Sequence, residues 1–293
     1  MNKVFAVMVA TTLVCSAQAQ ESSTLKKVSE NNYITVAHRE SSIPFSYLAD
    51  GKPIGFGFDI CMKVVDKVKA ILKKPNLEIK LQNVTSQNRI PLLRNGTVDI
   101  ECGSTTNNSQ RGEQVAFATN YFYTGTRLLA KKSSKIKSYE DLRGKSLATT
   151  TGTTNFQVMN KFNKDNNMDM KIIFGKDHDD SFLLVETDRA LAFAMDDILL
   201  YGLAAGSKNP SEWEVVADAL QVEPYAIMVR KDDVEFKKIV DDVIAQLIKT
   251  GEFDKLYKKW FQSPIPPKGI NLNVPMSKEL RDNLKNLSDK PAI

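Results

Sequence analysis

Apolar positions along this chain recur at two spacings that take turns. Short runs such as Ile34 to Ala37, and the alternating Leu77, Ile79 and Leu81, have the length and period of strands. Between them, Cys61, Val64, Val65, Val68 and Leu72 fall on one helical face that Asp59 can cap and Lys73-Lys74-Pro75 ends. Gln87 to Asn95 reads as a helix stopped by Gly96, and Val98 to Glu101 as a strand. A second series begins after Gly125. It predicts strands at Arg127 to Ala130, Leu147 to Thr149, Ile172 to Phe174 and Ala190 to Ala194, with helices opening near Thr153, Ser181 and Asp196. Tyr225 to Val229 is a strand that can return to the first series. Two closing helices carry the stripes Phe236, Ile239, Val240, Val243, Leu247 and Phe253, Leu256, Tyr257, Trp260. Residues 20–32 are polar and read as a loose leader. Strand and helix alternation in two series predicts an α/β fold of two lobes, each a central sheet flanked by helices.

The N-terminus reads as an address. Lys3, the apolar run Val4 to Cys15 and the small-x-small Ala17-Gln18-Ala19 make a secretory signal peptide, residues 1–19, with the mature chain starting near Gln20. Val14 is too large for the residue that precedes a lipidated cysteine. Length and composition agree with an exported globular protein: 293 residues, 42% hydrophobic and 26% charged. The net charge of +5 is modest, and lysines alternate with acids, as in Lys231-Asp232-Asp233, so nucleic acid is not an expected partner. Beyond the leader the cysteines are Cys61 and Cys102. They can pair in an oxidising compartment or serve as small buried apolar residues, the commoner use. With His38 and His178 they have no short metal-ligand spacing, so neither metal nor cofactor is expected.

Ligands of open α/β sheets bind outside the carboxyl ends of the strands. The loops there hold Arg39 after the first strand, Ser86 and Arg89 after the second, and Ser104, Thr106 and Arg111 after the third. In the second series they hold Thr153 and Thr154 at a helix N-terminus, His178 and Asp196. A helix N-terminus favours an anion, and each guanidinium offers a planar fork that suits a carboxylate. Three arginines and Asp196 sum to +2 (3 − 1). That balance suits a small zwitterion with two carboxylates and one ammonium.

The same residues sit in a run of recognisable segments. These are Ser86-Gln87-Asn88-Arg89-Ile90-Pro91-Leu92-Leu93, Asn95-Gly96-Thr97-Val98-Asp99, Cys102-Gly103-Ser104-Thr105-Thr106-Asn107-Asn108, His38-Arg39-Glu40-Ser41-Ser42, Met195-Asp196-Asp197 and Lys258-Lys259-Trp260-Phe261. In this order and spacing, from about residue 33 to 268, the chain resembles the bacterial periplasmic solute-binding proteins of polar amino-acid ABC transporters, in the branch that takes glutamate and aspartate. The resemblance implies a type II periplasmic binding protein fold with two hinge strands. One lobe would comprise residues 20–126 and 225–293, the other 127–224. It also implies a periplasmic monomer without cofactor that delivers ligand to membrane permease subunits. Arg111, with Ser104, Thr106 and Thr154, would clamp the α-carboxylate, and Asp196 would face the ammonium. Arg39, Ser86, Arg89 and His178 would form the side-chain carboxylate shell.

Plainer readings exist for several of these residues. Arg39 could pair with Glu40, His178 among Asp177, Asp179 and Asp180 could mark a surface turn, and Asp197 could be a helix cap. An exported enzyme of the dehydratase kind on the same scaffold is the alternative function. It would need His178 or Asp196 as its acid or base. No Ser/His/Asp order or Gly-rich phosphate loop supports it.

Overall fold

The computed structural model describes residues 22–292, so the expected signal segment 1–19 lies outside the described residues. Two five-stranded mixed sheets organise the chain. In the first, Tyr33–His38 lies between Glu78–Asn83 and Ile100–Glu101, parallel to both, and Met228–Arg230 and Val115–Phe117 complete the sheet in antiparallel pairing. The register sets Ile34 beside Ile79 and Val36 beside Leu81. The helix Phe56–Leu72 crosses over this sheet and buries Ile60, Cys61, Val64, Val65 and Val68, as their spacing requires. In the second sheet the order is Lys171–Gly175, Ser146–Thr150, Ala192–Asp196, Thr126–Lys131, Trp213–Val216.

Two short antiparallel strands, Phe122–Thr124 and Glu223–Tyr225, join the two halves as a ribbon. The closing helices Val234–Lys249 and Glu252–Phe261 return to the first half. There Phe45, Phe56, Tyr121, Phe122, Tyr257 and Phe261 pack edge to face and in stacks. Phe45, Phe56 and Tyr121 are thus core residues.

One expectation changes and one open alternative is decided. Residues 23–31, read as a loose leader, form the helix Ser23–Asn31. Its apolar content is slight, but Leu25 and Val28 are buried. The Asp233 carboxylate anchors its start by accepting from Ser22 Oγ (2.9 Å) and the Thr24 amide (2.7 Å). That anchor comes from 209 to 211 residues away and leaves no periodic trace. Cys61 and Cys102 are not merely small core residues. They form a disulfide, with Cα atoms 5.9 Å apart and a sequence separation of 41. It pins the helix Phe56–Leu72 to the end of the strand Ile100–Glu101.

Among the described residues, no helix is long and apolar enough to cross a membrane. Nor does any cluster of three or more His, Cys, Asp or Glu there suit a metal ion.

Candidate functional site

The nine candidate side chains lie at the carboxyl end of a strand, in the loop that follows it, or in the first helical turn after that loop. Arg39 follows Tyr33–His38, and its amide donates to Ser46 Oγ at 2.9 Å. Ser86 stands in the turn before the helix Arg89–Arg94, and Arg89 opens that helix. Ser104 and Thr106 follow Ile100–Glu101, and Arg111 lies in the single turn Ser109–Gly112 capped by Asn108. Thr154 opens the helix Thr154–Asp165, capped by Thr153. His178 opens His178–Glu186, capped by Asp177, and Asp196 ends Ala192–Asp196. All nine of Arg39, Ser86, Arg89, Ser104, Thr106, Arg111, Thr154, His178 and Asp196 are buried, none more than 9% exposed.

One end of the site is cationic. The Arg39 guanidinium donates to the Asp177 carboxylate and, at 3.3 Å, to His178 Nε2. A guanidinium can only donate, so Nε2 accepts and the imidazole proton sits on Nδ1. From there it reaches Thr150 Oγ1 at 3.1 Å, and Thr150 is joined to Ser181 Oγ at 2.8 Å. Burial, aided by the Arg39 and Arg89 charges and opposed by Asp177, pushes the His178 pKa down to about 3, so the ring is neutral. Arg39 therefore pairs with Asp177 rather than Glu40, and His178 belongs to a buried helix start rather than a surface turn.

Arg89 donates to the Ser104 carbonyl at 3.4 Å. Burial and the nearby Arg111 charge, against Glu101, bring its pKa down to about 9. Of the seven buried side-chain polar atoms without a hydrogen-bond partner among the described residues, four belong to this end: Arg39 Nε and Nη1, Ser86 Oγ and Arg89 Nε. Buried polar atoms are normally satisfied, and such an arrangement of donors suits a carboxylate.

The other end mixes charges. Arg111 donates to the Thr106 carbonyl (3.0 Å) and to the Gly152 carbonyl on the second lobe (3.2 Å). Its pKa is lowered by burial against the opposing pull of Glu223 and Asp196. Asp196 accepts from Asn155 Nδ2 at 2.8 Å and from the Tyr225 hydroxyl. Burial first, then the Glu223 carboxylate, raise its pKa. Asp197 is not the helix cap expected: it is the first residue of the helix Asp197–Gly206, whose cap position Asp196 occupies, and it accepts from the Ile198 amide (2.7 Å) and Thr124 Oγ1 (2.6 Å).

Glu223 was not foreseen. It stands in the joining ribbon, fully buried, and accepts from Thr106 Oγ1 at 2.6 Å and Thr154 Oγ1 at 2.7 Å. The available signal was a glutamate directly ahead of an apolar strand. Glu101, also buried and bonded by Thr105 Oγ1 at 2.7 Å, was likewise missed. The local charge balance is therefore less positive than the +2 read from four residues. What survives is polarity: guanidinium donors at one end, carboxylates with Arg111 at the other.

The two lobes are shut on each other. Besides the Arg39, Arg111 and Thr106 contacts, Gly152 (φ +81°) lies so close to the opposite backbone that a Cβ there would sit 2.6 Å from Gln87 Cα. A Cβ on Gly202 would likewise sit 2.7 Å from the Ile43 carbonyl oxygen. A groove of 660 Å³, lined by residues including Ile90, Gly152 and Phe174, runs along the outside of this seam.

A family model for the bacterial extracellular solute-binding proteins, family 3, matches residues 34–263. This chain belongs to that family. Proteins similar to it include the L-glutamate/L-aspartate-binding protein of Pseudomonas aeruginosa, 52% identical over 92% of this chain and 90% of that one. The glutamate/aspartate import solute-binding protein of Escherichia coli K12 is 49% identical over 92% and 89%. Among solved structures, a mutant ArgBP from T. maritima superposes with a TM-score of 0.72, covering 82% of this chain and 99% of that one at 27% identity. The solute receptor for L-cysteine of Neisseria gonorrhoeae gives 0.70, over 81% and 93%, at 25% identity. The fold is therefore the two-lobed type II binding-protein fold of family 3.

Proposed function

We propose that this family 3 protein binds acidic L-amino acids, glutamate and aspartate, between its closing lobes and delivers them to the membrane permease subunits of an ABC transporter. One observation carries the reading: Arg39 and Arg89, both out of solvent and both close enough to His178 for their charges to act on it, hold guanidinium N–H groups that no described protein atom accepts. A neutral ligand would leave these N–H groups unsatisfied and the Arg89 charge, which has no carboxylate bonded to it, unpaired, at about 2–5 kcal/mol for a lost charged partner. The relatives named for glutamate and aspartate support the same ligand class.

In this reading Arg111 clamps the α-carboxylate and Asp196 faces the ammonium. The lobes divide as 20–126 with 225–293, and 127–224, and hinge at the ribbon Phe122–Thr124 and Glu223–Tyr225. Ligand binds one lobe, and rotation of the other expels water and strengthens the ion pairs. The protein acts as a periplasmic monomer and a binder rather than an enzyme. His178 is bonded through both nitrogens and Asp196 through both oxygens, so neither is free to shuttle a proton. A thermal-shift screen of the twenty amino acids tests the assignment, because a ligand of the native state raises Tm by mass action. Glutamate and aspartate should give the largest shifts. Absence of any shift with both, in protein purified free of ligand, overturns it.

A further inference from the structure

We propose that Glu223 is a positioning residue for the ammonium end of the site: by taking the hydroxyl protons of Thr106 and Thr154 from opposite lobes, it turns both side chains into acceptors and so selects a ligand that carries an ammonium. The inference rests on the acidic amino-acid reading and deepens it.

Glu223 lies in the ribbon that joins the lobes and is wholly out of solvent. A buried carboxylate is costly unless donors saturate it. Here the donors are Gln221 Nε2 on Oε1, and the Thr106 and Thr154 hydroxyls on Oε2. Thr106 comes from the loop after the first-lobe strand Ile100–Glu101. Thr154 opens a second-lobe helix, so this bridge exists only with the lobes shut.

A threonine hydroxyl has one proton and two lone pairs. With both protons committed to Glu223, what these oxygens offer any ligand is lone pairs. Their Oγ1 atoms lie 3.4 Å apart, and Asp196, held by Asn155 next to Thr154, has Glu223 as its strongest charged neighbour. This corner is thus rich in acceptors: one carboxylate and two hydroxyl oxygens, the match for the three donors of an ammonium. A ligand carboxylate placed there would meet lone pairs. That leaves Arg111 as the α-carboxylate clamp and removes Thr106 and Thr154 from that task.

The test compares L-glutamate with glutarate, the same dicarboxylate without the ammonium, by calorimetry on the full mature chain. The wild type should favour glutamate at least 100-fold. In Thr154→Val, which keeps the side-chain shape and removes the lone pairs, glutamate should weaken about tenfold while glutarate stays unchanged. In Glu223→Gln, whose amide can donate, the glutamate-to-glutarate ratio should fall at least tenfold. A general loss of stability moves both ligands together and leaves that ratio alone. Equal weakening of both ligands in Thr154→Val would show the hydroxyl donating to a carboxylate and would overturn the proposal; should Glu223→Gln fail to fold, this arm decides alone. Wild-type protein that binds neither glutamate nor aspartate would instead sink the underlying reading, and this proposal with it.

Discussion

Closure of the lobes can be tested without touching a side chain that meets ligand. Gly152 precedes the helix Thr154–Asp165, and its carbonyl accepts from Arg111 at 3.2 Å. In Gly152→Ala the new methyl would lie 2.6 Å from Gln87 Cα, 2.7 Å from Gln87 N and 2.9 Å from the Ser86 carbonyl carbon, all opposite main chain. Ordinary contact begins at 3.4 Å, so the two backbones must part by about 0.8 Å. The Arg111 bond then stretches to roughly 4 Å and is lost. The positive φ adds about 1–2 kcal/mol of strain, but equally in the open and closed forms. Only the overlap and the lost bond fall on the closed form. Together they cost about 1.5–3 kcal/mol, roughly a 10- to 100-fold rise in Kd. Calorimetry with glutamate reads the affinity, and small-angle scattering with saturating ligand reads the compaction. The Tm of the ligand-free variant should fall only slightly. An affinity within twofold of wild type would show that the seam at Gly152 does not govern binding.

Arg111→Ala should abolish binding of all amino acids, whereas Arg89→Ala should weaken the acidic ones about 30-fold or more, in line with a lost charged partner; native affinity of either variant in calorimetry would refute its role. Reducing the Cys61–Cys102 disulfide releases a loop of 41 residues, worth about 4 kcal/mol on the loop-entropy scale, so Tm should drop by roughly 8 °C or more under reductant, and an unchanged melt would contradict this. The chain has two histidines, so imidazole NMR can follow His178 directly. Its pKa, lowered by burial and by the Arg39 and Arg89 charges, should keep the ring neutral from pH 8 to pH 5. Because the folded value of about 3 lies below the unfolded one, the associated stability is full above about pH 6.5 and lost as pH falls toward 3. A midpoint near 6.5 in the folded protein would refute the buried placement.

The fold was legible because its elements are simple in period. Strands such as Ile34 to Ala37 and the helix face of Cys61, Val64, Val65 and Val68 carry their burial in their own spacing. The grouping of the candidate site residues was legible for a related reason: the strand ends placed Arg39, Arg89, Arg111, Thr154, His178 and Asp196 in the connections on one rim. What stayed hidden depended on partners distant in sequence. The helix Ser23–Asn31 is held by Asp233, and Arg39 finds Asp177 rather than its neighbour Glu40. Glu223 is silent in sequence because its meaning lies in two hydroxyls, one 117 and one 69 residues away. The disulfide was one of two open readings, since spacing alone does not tell which cysteines meet.

Apart from the side-chain bonds of Arg39, Arg111 and Thr106, the seam is sealed by close main-chain approach, at Gly152 against Gln87 and at Gly202 against Ile43. Sensitivity and selectivity are therefore set by separate parts of the molecule. A sensor engineer could step the working concentration range upward by adding a methyl at one glycine or both, while every group that recognises the guest keeps its identity.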